Sequence, residues 1–346
     1  MNFNAVLSNT QIKTSVPCRI DFGGTLDIST FFMPLSHLKP ATLNLALDMR
    51  TYVTLAPWKE GRIKISSRGF ETIERSHKDK GVGNPMGLMF AIAQFFNAHG
   101  VHIHIESTSP PKSALGGSSS AAVALISAFY TVLGKPIEKS SITWLAHFLE
   151  SSVAGVPCGV QDQTAAAFGG ANLWEWSFGS TGPQFTKIPV YEKESDLQDL
   201  NNHILVAYCG IPHESKNINS RWVQAFNAGK VFSEFEKIAA LTKEFTQSLK
   251  NKSFNQAGEL MNLETDIRCK MTPDVLDNTG KKLFEIAKEL NCGARFTGAG
   301  GGGCLWAVGD AKNINRLNSA WQKILATVEG AMLLDTVIDN RGIIIH

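Results

Sequence analysis

Residues 110–136 constrain the fold most. Pro110-Pro111-Lys112-Ser113-Ala114-Leu115-Gly116-Gly117-Ser118-Ser119-Ser120 runs straight into Ala121-Ala122-Val123-Ala124-Leu125, and Gly134 and Pro136 then stop the apolar run. A small-residue apolar segment that ends on glycine and then proline reads as a buried helix with its C-terminal stop. At Ala121 to Leu133 it is too short to span a bilayer, which needs about 18 residues or more. The glycines ahead of it let the backbone approach an anion. The helix start presents unpaired N–H groups and a positive dipole end to phosphate. The serine hydroxyls can cap the helix or hold a cation carried by the phosphates, and the segment by itself allows both readings.

The remaining chain supplies the frame. With 346 residues it suits two domains. Hydrophobic residues at 43% and charged residues at 18% suffice for a core and exclude disorder. A net charge of +2 without a long basic run argues against nucleic-acid binding. Met1 to Thr14 lacks a secretory layout, and no segment is apolar enough for a transmembrane helix. Six cysteines with no C-x-x-C pair argue against zinc and against a disulfide framework, so a reducing, cytoplasmic setting is expected. Val16 to Phe22, Arg50 to Pro57, Arg62 to Ser66, Val101 to Ile105 and His203 to Cys209 read as strands. Gly87 to His99, Ile142 to Ser151, Val231 to Leu249, Phe254 to Asp266 and Lys281 to Leu290 read as helices, with a shorter one at Arg221 to Asn227. His102 and His104 fall on the less buried face of their strand, which disfavours a metal role. The polar stretch from about Glu192 to Asn201 marks a boundary, giving domains at 1–190 and 191–346.

Two phosphate-binding patterns are absent. No G-x-x-x-x-G-K-[ST] occurs. Gly298 to Gly303 contains a formal G-x-G-x-x-G, but it runs into the strand-like Cys304-Leu305-Trp306-Ala307-Val308 rather than opening a helix, so a dinucleotide-binding oxidoreductase fails on context.

Four separated stretches, in order, resemble the motifs of the GHMP kinases. They are Pro17-Cys18-Arg19-Ile20-Asp21-Phe22-Gly23-Gly24-Thr25-Leu26-Asp27, the loop from Pro111 to Ala122, Gly155-Val156-Pro157-Cys158-Gly159-Val160-Gln161-Asp162-Gln163, and Phe296 to Cys304. The first is most similar to the sugar branch, with bacterial heptose-phosphate and fucose kinases nearest. The resemblance implies an α+β fold: an N-terminal domain like ribosomal protein S5, a ferredoxin-like C-terminal domain, and an active site in the cleft between them. It implies a phosphotransferase that uses ATP and Mg²⁺ to phosphorylate a hydroxyl of a sugar or sugar phosphate.

Residue by residue, the resemblance makes Asp162 the acid beside the attacking hydroxyl and Arg19 the fixed cation that keeps it ionised. Glu150 and Ser118 become the metal ligands. Pro111, Ser113, Leu115, Gly116, Gly117, Ser118, Ser119 and Ser120 form the nucleotide loop, and Gly24, Thr25, Asp27, Gly300 and Gly301 face the acceptor. Gly117 replaces the motif's first serine, and Ala114 and Lys112 stand at positions of motif glycines. Ala114 is therefore expected to avoid positive φ. Lys216, Arg221 and Arg268 are the further cations considered for a phosphate on the acceptor. The expected partners are ATP and a small-molecule acceptor, with no membrane or nucleic acid, in a monomer or homodimer. The alternatives carried are a GHMP-fold kinase for a non-sugar alcohol and a nucleotide-binding regulator with weakened chemistry.

Overall fold

In the computed structural model the described residues are 2–8, 10–212 and 215–346. The first half runs α1 (Asn4–Leu7), β1 (Ile12–Phe22), α2 (Ser29–Phe32), β2 (Ala41–Pro57), β3 (Arg62–Ser67), β4 (Ile73–Ser76), α3 (Gly87–Phe95), β5 (Val101–Ser107), α4 (Gly117–Val132), α5 (Lys139–Ala154), α6 (Gln161–Phe168), β6 (Ala171–Gly179) and β7 (Gly182–Pro189). The second half runs α7 (Glu194–Leu200), β8 (Ile204–Tyr208), α8 (Ser215–Asn227), α9 (Phe232–Lys250), α10 (Phe254–Met271), α11 (Asn278–Glu289), β9 (Gly293–Phe296), β10 (Cys304–Val308), α12 (Ala311–Leu325), β11 (Met332–Leu333) and β12 (Ile344–Ile345).

Two sheets organise these elements, in the order β12-β1-β2-β5-β3-β4 with β6 and β7 branching from β2, and β11-β8-β10-β9. The long β2 makes the branch possible, because Ala41–Leu45 pairs with β6 while Thr51–Pro57 pairs with β5. Its pairing with β1 shifts register between Pro17 and Cys18, where proline has no N–H to offer a ladder. The expected strand at Arg50 thus begins nine residues earlier, at Ala41. On β5, Val101, Ile103 and Ile105 are buried while His102 and His104 face outward, each 2.8 Å from the Ser66 hydroxyl.

The chain crosses to the second sheet between Pro189 and Ile204, yet the division expected at residue 190 is not a clean cut, because β12 returns to pair with β1. The helix of the opening motif, α4, is buried from Ser119 to Phe129. Its alanines and serines let β1, β2, α5 and α6 pack closely around it. That packing fixes where its N-terminus points.

A run of buried charges joins the halves. Asp21 on β1 takes a hydrogen bond from Arg295 Nη1 at 3.0 Å, and Arg295 Nε donates to Glu264 at 2.9 Å. Glu264 also holds Arg268 Nε at 2.9 Å, and Arg268 returns to the first half by donating to Gly24 O at 2.6 Å and Thr25 Oγ1 at 3.2 Å. All four charged side chains are fully buried.

Candidate active site

A cavity of about 590 Å³ lies where the motif segments converge. One wall is the turn into α4. Gly116 sits at φ +77°, in the left-handed region that admits glycine freely, and aims the free N–H groups of the first turn into the cavity. The turn is tight against Asp162: a Cβ on Gly116 would stand 3.2 Å from its carboxyl carbon.

Arg19 grips Asp162 with two nitrogens, Nε at 2.7 Å and Nη2 at 2.6 Å from Oδ1. Its third nitrogen donates to Ala114 O at 2.7 Å, tying the phosphate loop to the same cation. Burial alone would lower the Arg19 pKa, but Asp162 and Asp21 beside it raise it, so it stays a fixed positive charge. Asp162 is about a quarter exposed, in the first turn of α6, and reachable by a ligand.

Glu150, near the end of α5, accepts from Ser118 at 2.9 Å, Ser119 at 2.7 Å and Gln163 at 2.6 Å. Burial pushes its carboxyl up; the Ser119 and Ser118 hydroxyls oppose that shift and Asp162 adds to it. Also on the cavity wall, Asp27 is buried, its Oδ2 accepting from Gln161 N at 2.9 Å. Burial raises its pKa to about 6, with the Gln161 N–H opposing and Asp162 adding. A side chain on Gly159 would run into that carboxylate, which accounts for the glycine there.

Of the residues expected in the site, the structure brings Arg19, Thr25, Asp27, Pro111, Ser113, Gly116, Gly117, Ser118, Ser119, Glu150 and Asp162 to the cavity wall. Leu115 instead points into the core, and Ser120 is buried with its hydroxyl on Pro17 O at 3.2 Å. Gly24 lies behind the wall under Arg268. Gly300 and Gly301 pack on Val275, whose carbonyl accepts from Gly301 N at 2.8 Å; the glycine-rich segment meets the cavity through Gly298 and Ala299. Ala114 does not avoid positive φ: it stands at +62°, and Lys112 at +55°. Both glycine positions of the motif therefore keep a glycine-like backbone here without the glycine.

Arg268 is sealed by Glu264 and unavailable to a ligand, and Arg221 is paired with Asp274 through two hydrogen bonds of 3.0 and 2.8 Å. The Lys216 side chain lies outside the described residues. Sequence reasoning passed over Gln161 and Gln163, which orient Asp27 and Glu150, although both flank Asp162 in a motif already singled out. It also passed over Asp21, whose Oδ1 accepts from Gly298 N at 2.6 Å and joins the first motif to the last.

A helix N-terminus, an Arg-held carboxylate and a second, buried carboxylate meet in one cleft, an arrangement suited to phosphoryl transfer onto an alcohol. Residues 86–170 match the GHMP kinases N terminal domain and residues 245–326 match the GHMP kinases C terminal region. A mevalonate kinase of Thermococcus onnurineus is 27% identical over 88% of this chain and 91% of its own. The D-glycero-alpha-D-manno-heptose 7-phosphate kinase of Campylobacter jejuni is 22% identical over 90% and 93%. Among solved structures, a D-glycero-D-manno-heptose 1-phosphate kinase from Bacteroides thetaiotaomicron superposes with a TM-score of 0.74 at 18% identity, covering 97% of this chain and 98% of that one. The chain belongs to the GHMP kinase family, whose members take ATP as phosphoryl donor.

Proposed function

We propose that this enzyme transfers the γ-phosphoryl group of ATP to a hydroxyl of a sugar or sugar phosphate. The observation that carries the reading is the acceptor end of the cavity. Asp27 offers Oδ1, buried and without a hydrogen-bond partner among the described residues. A buried oxygen of this kind calls for a donor, and a sugar hydroxyl is one. Mevalonate has hydroxyls that could do the same, but its carboxylate would share the cavity with Asp27, Glu150 and Asp162. The 25–27% identity to archaeal mevalonate kinases nevertheless makes mevalonate the one non-sugar acceptor to test.

In this reading Asp162 accepts a hydrogen bond from the attacking hydroxyl, either taking its proton as base or orienting it as a charge. Arg19 holds Asp162 in place through two nitrogens and stabilises charge developing on the transferred group. The α4 N-terminus and Ser118 cradle the nucleotide phosphates. The donor set also fits Mg²⁺. One carboxylate and adjacent hydroxyls are hard oxygen ligands, and Mg²⁺ needs only one or two carboxylates besides phosphate and water. Glu150 and Ser118 would hold it; when bound it neutralises charge on the phosphate oxygens. All six cysteines are free, in keeping with a reducing compartment.

The test is ADP release from Mg-ATP against hexoses, deoxyhexoses, heptoses, sugar phosphates and mevalonate, with Asp162→Asn run in parallel. Turnover of a sugar that falls by about 10²–10⁴-fold in the variant, with Mg-ATP affinity kept, is expected. Turnover of mevalonate alone replaces the acceptor, and failure to bind Mg-ATP ends the kinase reading.

A further inference from the structure

We infer that Asn219, on α8 in the second half of the molecule, reads a second hydroxyl of the acceptor, so that a polyol is gripped from both walls of the cleft. The inference rests on the sugar reading above and adds a residue outside all four motifs.

Two side chains on the cavity wall carry a buried oxygen with no donor among the described residues, Asp27 Oδ1 and Asn219 Oδ1. Folded proteins leave few such atoms, since a buried acceptor without a partner loses its bond to water and gains nothing back. Here the two face one cavity from opposite halves of the chain. Each is a hydrogen-bond acceptor, and neither suits an apolar or anionic tail. A ligand with two hydroxyl groups completes both.

The surrounding packing keeps the two groups in a fixed relation. Asp27 cannot swing, because its other oxygen is held by Gln161 N at 2.9 Å. Just after Asp27, α2 docks on α8, with the Phe31 and Phe226 rings edge to face at 5.1 Å. The buried Trp222 of α8 donates from Nε1 to Thr272 Oγ1 at 2.7 Å. Arg221 is clamped to Asp274. Asn219 is thus presented by a helix fixed on two sides, one of them the segment that carries Asp27.

The experiment compares wild type and Asn219→Ala on D-galactose, D-mannose and D-glycero-D-manno-heptose 7-phosphate, each beside its monodeoxy analogues. Mg-ATP affinity and thermal midpoint are measured alongside. Loss of one neutral hydrogen bond is expected to raise acceptor KM by about 10-fold, while Mg-ATP affinity and the midpoint stay at wild-type values. One monodeoxy analogue, already poor with wild type, should lose nothing further in the variant, which identifies the hydroxyl that Asn219 reads. Sugar turnover with an acceptor KM indifferent to Asn219→Ala, or an equal loss on every analogue, overturns the inference and leaves the kinase reading standing. Mg-ATP binding without turnover of any sugar by wild type overturns both.

Discussion

At the scale of single residues, Asp27 combines two demands that oppose each other. Its carboxyl is buried, which favours the neutral form, yet the proposed contact with the acceptor wants the anion. The folded-state pKa of about 6 lies above the ordinary 3.8, so folding binds this proton more tightly. Its effect on stability therefore has an unusual sign for a carboxylate. Stability falls as pH rises through the window from 3.8 to about 6, and stays lower above it. Asp27→Asn is accordingly expected to be more stable than wild type at pH 7.5, with the gap closing as pH drops toward 5, as thermal unfolding across pH would register. Acceptor kcat/KM runs the opposite way. In wild type it should decline as pH falls through about 6, and in Asp27→Asn it should be low throughout. A wild-type acceptor profile flat from pH 5 to 8 would remove Asp27 from acceptor binding.

At the scale of elements, the phosphate loop shows how a backbone shape can outlast the residues suited to it. Lys112, Ala114 and Gly116 alternate at positive φ, and the loop is pinned there by Arg19 on Ala114 O and by Cys304 N on Ser113 O at 2.9 Å. A non-glycine residue in the left-handed region costs about 1–2 kcal/mol. Ala114→Gly should recover about 0.5–1 kcal/mol of that, the remainder being offset by the greater freedom of glycine in the unfolded chain. Chemical denaturation measures the gain, and a loss of stability would show that the Ala114 methyl packing on Gly303 matters more than the strain. The sequence announced this loop and its helix because both signals are local: glycines, a small-residue run, and a glycine-proline stop. It also announced Arg19, Glu150 and Asp162, which sit in recognisable stretches and do converge. It misjudged Ala114, since the pins that hold its φ come from β1 and β10, far away in the chain. It placed Gly300 and Gly301 on the acceptor, but their packing on Val275 depends on how α10 and α11 meet the second sheet. It gave β2 too late a start, because Ala41 to Leu47 does not alternate in burial and is buried on both faces.

At the scale of the whole molecule, six alternating charges thread the cleft. They run from Asp162 through Arg19, Asp21, Arg295 and Glu264 to Arg268, which ends on the turn at Gly24 and Thr25. Thr25 is held at φ +75° in that turn, so the same chain of contacts touches the proposed catalytic acid and a strained turn beside the cavity. Glu264→Gln would leave Arg268 and Arg295 buried with half their compensation gone. It should cost about 3–5 kcal/mol, read from urea unfolding. A cost under about 1 kcal/mol would mean that the two halves are held by apolar packing alone. No sequence pattern marks this network, because its members are ordinary charges until the fold encloses them. The return of Ile344–Ile345 to β1 carries a further consequence, for the order of synthesis. Residues 14 and 15 leave the ribosome some 330 residues before the strand that borders them. A nascent chain must therefore carry that stretch of β1 as an unprotected sheet edge until β12 has been made, open meanwhile to unwanted strand pairing.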